Sequence, residues 1–298
     1  MGGGLDRDQG LSTTRRRRAA RFVSGHRGVR LGGLLAGPLL WVAVAYIGAL
    51  VALLVTSLFH NETTGIATKM VTTPAIDNYQ TLVDTPVYRD VAFRTIRAAA
   101  AVTIIDLAIA LPVAFFMAKV ATQRSRRRLV IAVTMPLWAG YLVKGYAWRA
   151  MLNPESGLIR EVFGATPGYG LWGSVLTLSY LWLPYMVIPI YAGLDRLPNS
   201  LLEASTDLGG SASRTFRSVV LPLLVPSIIA GSIFTFSLTL GDFYVNRIFG
   251  GTTQFIGNNI YSNFGVNLPL AAAFATVPVL IMAGYLLAAR ATGALEEL

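Results

Sequence analysis

The sequence predicts an all-α membrane protein, a helical bundle with six transmembrane helices. Composition, the spacing of the apolar stretches and the placement of basic residues each support this prediction. The 298-residue chain is 54% hydrophobic and only 13% charged, and its mean hydropathy is +0.56. A soluble domain carries close to a quarter charged residues, so a polytopic membrane protein is the expected class.

Six apolar stretches have about the 20 residues that a helix needs to cross the hydrocarbon core. They are Leu34–Phe59, Ala98–Ala118, Leu129–Leu152, Leu171–Gly193, Leu221–Phe243 and Leu268–Ala289. Several contain proline, which membrane helices tolerate where neighbouring helices satisfy the freed carbonyl groups. We expect each stretch to form one spanning helix.

The basic residues indicate the orientation of these helices. Two segments rich in arginine and lysine, one before the first stretch and one between the second and third, belong in the cytoplasm by the positive-inside rule. Their basic residues are Arg15, Arg16, Arg17, Arg18, Arg21, Arg27, Arg30, Lys119, Arg124, Arg126, Arg127 and Arg128. Six spans then give cytoplasmic N- and C-termini. Arg89, Arg94 and Arg97 depart from the rule, since they precede the second stretch on the predicted outer side.

The residue types that are missing exclude several kinds of chemistry. The chain has no cysteine, which excludes disulfides and Cys-ligated zinc, and its histidines, His26 and His60, lie in separate polar segments. No G-x-x-x-x-G-K-[ST] motif for nucleotide binding occurs. We therefore predict no catalytic residue, no metal site and no cofactor bound by this chain. The net charge of +10 is explained by membrane topology and lipid contact rather than by a nucleic-acid partner.

A polar segment, Asp195–Val220, separates the fourth and fifth stretches. Residues 200–203 fit a capping box, Ser-Leu-Leu-Glu, that would start a short helix. Gly209 is where a C′ glycine would end that helix, and residues 211–218 can form a second one. Pro222 suits the first turn of the following span. The segment could dock in the groove of a partner protein, or it could pack on the bundle with Glu203 capping its own helix.

The same segment, EASTDLGGSASRTFRSVVLP, resembles the EAA motif of permease subunits of type I ABC importers. The motif positions are occupied by Glu203, Ala204, Ser205, Gly209, Val219, Leu221 and Pro222. Ser205 stands where the motif has its second alanine, and Val219 stands where it has isoleucine. The resemblance implies that this loop, including Asp207, Leu208 and Gly210, couples the permease to cytoplasmic ATPase subunits.

Further segments, among them PLWAGYLVKGYAWRAMLNPESGLI and LGDFYVNRIFGG, look like the permeases of spermidine/putrescine importers. The likeness covers about Phe93 to Leu287 and implies a MetI-like permease fold in the bacterial cytoplasmic membrane. It divides the chain into a basic tail (1–30), a first helix with its external loop (31–92), a core permease domain (93–290, with the EAA loop at 195–220) and a C-terminal tail (291–298). The implied partners are a second homologous permease, two ATPases that bind ATP and Mg, an extracytoplasmic binding protein and membrane lipids.

Two acidic residues and several aromatic residues are candidates for the substrate pathway. The candidates are Asp242, Tyr244, Asp106, Trp138, Tyr141 and Tyr185. Asp106 could be a counter-charge or a buried structural hydrogen-bonding group, and Asp242 could bind a cationic substrate or cap a helix end. Aromatic rings could hold an ammonium group, although interfacial belts explain rings such as Trp148 and Trp172. The alternative functions are an ABC importer permease for another small solute and an ion-coupled secondary transporter that uses Asp106.

Overall fold

The computed structural model describes residues 27–64, 67–249 and 253–291. The chain divides into two compact units, Met1–Val55 and Thr56–Leu298. Most of the predicted basic tail (1–26) and of the C-terminal tail (292–298) lies outside the described residues. The domain boundaries that the resemblance implies remain a prediction.

The first unit contains most of the predicted first span. Helix α1 (Arg27–Val42) continues through a π-helical segment, Ala43–Gly48, into α2 (Ala49–Ser57). The 23 residues of Leu35–Ser57 have a mean hydropathy of 2.5, so this helix is long and apolar enough to cross a bilayer.

The second unit begins with a feature that the sequence did not predict, a two-stranded antiparallel hairpin. Strands β1 (His60–Thr64) and β2 (Ala67–Val71) pair with His60 opposite Val71. Helix α3 (Asp77–Asp84) follows, and the Asn78 side chain donates hydrogen bonds to the carbonyl oxygens of Ser57 (3.0 Å) and Phe59 (2.6 Å). These bonds join α3, which follows the hairpin, to the residues that directly precede the hairpin.

The second span is longer than the sequence predicts. Helix α4 (Pro86–Phe115) begins well before Ala98, with proline in its first turn, and ends in a π-helical turn, Phe116–Val120. Together the helix and the turn span the 35 residues Pro86–Val120, which extend about 52 Å at 1.5 Å per residue, more than the hydrocarbon core of about 30 Å. The outer arginines, Arg89, Arg94 and Arg97, consequently lie on this helix rather than in a loop.

The prediction of one continuous helix in the third stretch is wrong. The stretch forms α5 (Gln123–Trp138) and α6 (Tyr141–Met151), which meet at a bend of 96°. Ala139 and Gly140 between them are extended, and Pro136 has no N–H for the last turn of α5. The ammonium group of Lys144 donates to the Pro136 carbonyl oxygen at 3.0 Å and so holds the two helices together across the bend.

The remaining helices complete the bundle. They are α7 (Leu158–Phe163), α8 (Leu171–Arg196), α9 (Asn199–Asp207), α10 (Ala212–Thr215), α11 (Leu221–Leu240), α12 (Tyr244–Phe249), α13 (Ile256–Phe264) and α14 (Leu268–Ala291). Helices α4, α8 and α11 pack against one another in the centre, and α14 packs on α11 and α13. Buried apolar clusters form at both ends of α4 and α8.

The fifth span differs from its predicted bounds at both ends. Helix α10, a π-helical turn at Phe216–Val220 and α11 form one helical segment, Ala212–Leu240. Pro222 lies in the first turn of α11, as predicted, although α11 continues directly from the π-helical turn that precedes it. Among the described residues, five helices can cross a membrane, or six if the bent pair α5 and α6 is counted as one crossing. This confirms the all-α membrane bundle.

Candidate functional site

The corner between α9 and α10 is built around two glycines. Gly209 has a left-handed backbone (φ +77°), which glycine adopts without the steric penalty of a side chain. Its N–H donates to the Thr206 carbonyl oxygen (2.8 Å), and the Gly210 N–H donates to the Ser205 carbonyl oxygen (2.9 Å). These two bonds make a Schellman motif. The prediction that α9 ends at Gly209 is confirmed.

Side chains close the same corner from the inside. The Ser205 and Thr215 hydroxyl oxygens lie 2.8 Å apart and form a hydrogen bond between α9 and α10. A Cβ atom on Gly210 would lie 2.6 Å from the Ser205 carbonyl oxygen, so this position has no room for a side chain. The serine that replaces the motif's second alanine thus holds the two short helices together.

The predicted capping box does not form. Helix α9 begins at Asn199 with Pro198 as its N-cap, and no side chain caps it. Glu203 is therefore not a capping residue of its own helix.

One face of α9 turns toward the bundle, where Leu202 packs on a buried cluster. Glu203, Asp207 and Leu208 are exposed, and Leu208 is 90% exposed. An apolar side chain so exposed, between carboxylates, is available to a partner protein.

Two basic residues anchor the start of the corner to the bundle. The Arg126 guanidinium donates to the carbonyl oxygens of Met117 (3.1 Å) and Ala118 (2.6 Å) and to the Asp195 carboxylate (2.9 Å). The Lys119 ammonium donates to the Leu197 carbonyl oxygen (2.6 Å). Basic side chains at the last carbonyls of a helix are favourable. These contacts join the ends of α4 and α8 to the beginning of α9.

A second candidate site lies at the other end of the segment Ala212–Leu240. The prediction that Asp242 belongs to the fifth span is wrong. Helix α11 ends at Leu240, and Asp242 follows Gly241 in the corner that leads to α12. Its side chain is 6% exposed. One carboxylate oxygen, Oδ1, accepts a hydrogen bond from the Val245 N–H (3.0 Å), which caps the start of α12. The other oxygen, Oδ2, accepts a hydrogen bond from the Tyr141 hydroxyl.

Aromatic rings surround this carboxylate. The rings of Tyr141 and Trp182 are stacked with centroids 5.9 Å apart, and those of Tyr141 and Tyr244 are 5.5 Å apart. A cavity of about 260 Å³ opens between them. It is lined by Tyr141, Trp182, Leu238, Gly241, Asp242, Phe243 and Tyr244. A carboxylate beside several π faces is the chemistry that attracts an ammonium group. We call this space the Asp242 cavity.

The structure brings together only part of the predicted pathway set. Asp242, Tyr141 and Tyr244 line the cavity, whereas Tyr185 stands behind Trp182, with ring centroids 6.0 Å apart. Trp138 is 90% exposed at the end of α5 and does not line the cavity. The cavity is also lined by four residues that were not among the predicted pathway residues, Trp182, Leu238, Gly241 and Phe243. Phe243 lies in the segment LGDFYVNRIFGG, which resembles polyamine permeases, but no sequence signal distinguished Trp182 from the other aromatic residues.

Asp106 lies on α4 away from the Asp242 cavity. It is completely buried, between the apolar clusters at the two ends of α4 and α8. Neither carboxylate oxygen makes a hydrogen bond of normal geometry to any described residue, and the same holds for the neighbouring Ser179 hydroxyl. Its predicted roles, a counter-charge or a structural hydrogen bond, both stay predictions.

A larger cavity of about 530 Å³ lies beyond α12 and is lined mostly by polar residues. Asn246, Asn258 and Gln254 contribute amide groups, and the Arg247 guanidinium stands 4.7 Å from the Tyr261 ring centroid. The positive charge of Arg247 disfavours a cationic ligand there. The smaller Asp242 cavity is therefore the better candidate for a cation.

These features define a membrane permease subunit. The chain belongs to the family of inner membrane components of binding-protein-dependent transport systems, whose family model matches residues 91–296. It is 40% identical over 299 residues to the inner membrane ABC transporter permease protein YdcU of Escherichia coli K12, covering 93% of this chain and 94% of that protein. It is 31% identical over 230 residues to the spermidine/putrescine transport system permease protein PotB of the same strain, covering 72% and 80%.

Solved structures show the same fold. A chain of a bacterial alginate ABC transporter in complex with its alginate-bound periplasmic protein matches with a TM-score of 0.69 and 13% identity, over 90% of this chain and 94% of that chain. A chain of the MetNI methionine ABC transporter matches with a TM-score of 0.54 and 17% identity, over 67% and 91%. The protein is thus a multi-pass permease of the bacterial inner membrane and a transport subunit of an ABC importer.

Proposed function

We propose that this permease imports polyamines such as spermidine and putrescine, and that the Asp242 cavity lies on their path. The observation that carries the proposal is the buried Asp242 carboxylate, which faces a cavity walled by the rings of Tyr141, Trp182 and Tyr244. Each ring that faces an ammonium group contributes about 0.5–2 kcal/mol. The permease of a spermidine/putrescine system is among the relatives.

The residues that line the cavity suit a polyamine, because such a molecule alternates charged groups with methylene groups. Leu238 and Phe243 offer apolar contact to methylenes on the wall next to the carboxylate. The Tyr141 hydroxyl already occupies Oδ2 of Asp242, so an arriving ammonium group would replace or share that hydrogen bond. The Oδ1 atom would continue to cap α12. Binding would therefore change the contact between α6 and Asp242 without unfolding α12.

The coupling corner, defined as residues 199–222, would receive the energy for transport. We propose that it docks in cytoplasmic ATPase subunits, two per importer, which bind ATP and Mg, and that this chain binds no cofactor. The exposed residues Glu203, Asp207 and Leu208 are available for this contact. The 29-residue segment Ala212–Leu240, about 43 Å long, connects the corner with the Asp242 cavity. A second homologous permease and an extracytoplasmic binding protein would complete the importer.

A second candidate function is import of another small cationic solute. The relative at 40% identity is named as an ABC transporter permease without a substrate, and the features of the Asp242 cavity require a cation rather than a particular polyamine. Uptake measurements with polyamines and with other cations distinguish the two candidates.

The test is uptake of labelled spermidine and putrescine by cells that express the permease with its ATPase, partner permease and binding protein. Asp242→Asn removes the charge but keeps a side chain that can cap α12, so uptake should fall by about tenfold through loss of the charge contact. Asp90→Asn removes an exposed carboxylate on α4 and should leave uptake unchanged. Equal uptake by Asp242→Asn and the parent would contradict a charge role for Asp242. Absence of polyamine uptake in the parent, with uptake of another cation, would favour the second candidate.

A further inference from the structure

The outer part of α4 carries arginines that neither the coupling corner nor the Asp242 cavity explains. Arg94 and Arg97 line a cavity of about 310 Å³ between α4 and the beginning of α8. This volume is at the lower end of the range for small-molecule sites, about 300–1,000 Å³. Apart from the two guanidinium groups, the cavity is lined by Ala98, Ala101, Leu171, Trp172 and Val175.

The two positive charges have no acidic partner in the part of the chain that the structure describes. Within residues 27–64, 67–249 and 253–291, neither Arg94 nor Arg97 forms a salt bridge, and no carboxylate lines the cavity. Arg97 makes a long hydrogen bond, 3.4 Å, to the Phe93 carbonyl oxygen of its own helix. The site therefore offers two guanidinium groups to an anion from outside the chain.

The position of the cavity along the bundle indicates the membrane interface. Arg97 directly precedes the apolar stretch Ala98–Ala118. Trp172 is the second residue of α8 and is 62% exposed, as expected for tryptophan in an interfacial belt. Two helices thus place interface residues at the same end of the cavity, and the apolar walls begin beside them.

We propose that this cavity binds an anionic phospholipid. The phosphate group pairs with Arg94 and Arg97, because a guanidinium group matches phosphate geometry. The first part of an acyl chain lies along Ala98, Ala101 and Val175. Net negative charge selects phosphatidylglycerol over phosphatidylethanolamine, whose ammonium group is repelled by the two arginines. In the predicted orientation the lipid belongs to the outer leaflet.

The test is native mass spectrometry of the purified full-length permease, assembled with its partner subunits and titrated with phosphatidylglycerol or phosphatidylethanolamine. The parent should bind phosphatidylglycerol more tightly than phosphatidylethanolamine. Each change, Arg94→Gln or Arg97→Gln, should weaken binding of phosphatidylglycerol about fivefold. The matched control is Arg89→Gln, which removes the same charge from the same helix outside the cavity and should have no effect.

A second variant tests the apolar part of the site. Ala101→Phe fills the wall and keeps both arginines, so it should reduce binding of phosphatidylglycerol without reducing binding of inorganic phosphate. If Ala101→Phe binds the lipid as the parent does, the arginines hold a phosphate group alone and the lipid proposal is wrong. Equal affinity for the two lipids, or an Arg89→Gln effect as large as that of Arg94→Gln, would also overturn it.

Discussion

The segment Ala212–Leu240 has a glycine corner at each end, and the two corners are built differently. The coupling corner is closed by backbone and hydroxyl hydrogen bonds that leave no room for a side chain at Gly210, and its outer side chains are exposed. The corner at Gly241 is closed by a carboxylate, Asp242, that is almost completely buried.

This difference shows how one chain can separate contact with a partner protein from contact with a ligand. Atoms that hold the coupling corner together belong mostly to the backbone, so its outer side chains are available to a partner without loss of its shape. In the Asp242 corner, the same side chain that holds α12 also faces the cavity. In the proposed function, a ligand would therefore act on the structure of the second corner directly, whereas the first corner would receive force from the ATPase subunits.

The largest expected effect comes from a charge at the coupling corner. Gly209→Asp and Gly209→Asn both place a side chain that tolerates a left-handed backbone into open space. The two variants therefore differ mainly in charge. We expect Gly209→Asp to lower substrate-stimulated ATP hydrolysis of the assembled importer by about tenfold or more, as for a change at the centre of an interface.

Gly209→Asn is the matched control, and it should retain most of this stimulated hydrolysis and express at the same level. Normal stimulation in Gly209→Asp would show that the corner does not contact the ATPase. Equal losses in the two variants would show that backbone shape, rather than the interface, limits coupling.

A smaller effect is expected when the two roles of Asp242 are separated. Asp242→Ala removes both the charge and the cap of α12, whereas Asp242→Asn removes only the charge. We expect Asp242→Ala to be less stable than Asp242→Asn by about 1 kcal/mol, the usual loss for a helix cap. Thermal unfolding of the purified variants in one detergent measures this difference. Identical melting temperatures would mean that Asp242 does not stabilise α12.

The smallest effect is expected at Ser205. Ser205→Ala restores the residue of the EAA motif and removes the hydrogen bond to Thr215, which costs about 0.5–1.5 kcal/mol. Uptake should remain near the parent level because the Schellman motif at Gly209 is unchanged. A double-mutant cycle with Thr215→Ala isolates the pair. If the two single changes are strictly additive in unfolding free energy, the hydroxyl groups are not coupled.

Composition and charge were sufficient to predict the bundle, because the hydrophobic requirement of a bilayer acts on every residue of a span. The end of α9 was also predictable, since glycine adopts the backbone of Gly209 more easily than any other residue. Contacts between residues that are distant in sequence were not predictable. The contact of Tyr141 with Asp242 depends on the bend after Pro136, and the early start of α4 depends on residues that are too polar to look like part of a span. The hairpin after α2 is short and polar, so it gave no periodic apolar signal.

The salt bridge between Arg126 and Asp195 also limits how many times the chain between these two residues can cross the membrane. Two residues that touch through charged groups lie on the same side of the bilayer, so the chain between them must cross an even number of times. Helix α8 accounts for one crossing. The bent pair α5 and α6 must supply the other, despite its 96° bend. The loop at 153–170 consequently faces the compartment opposite to Asp195, and an accessible tag inserted there would be labelled only from that compartment.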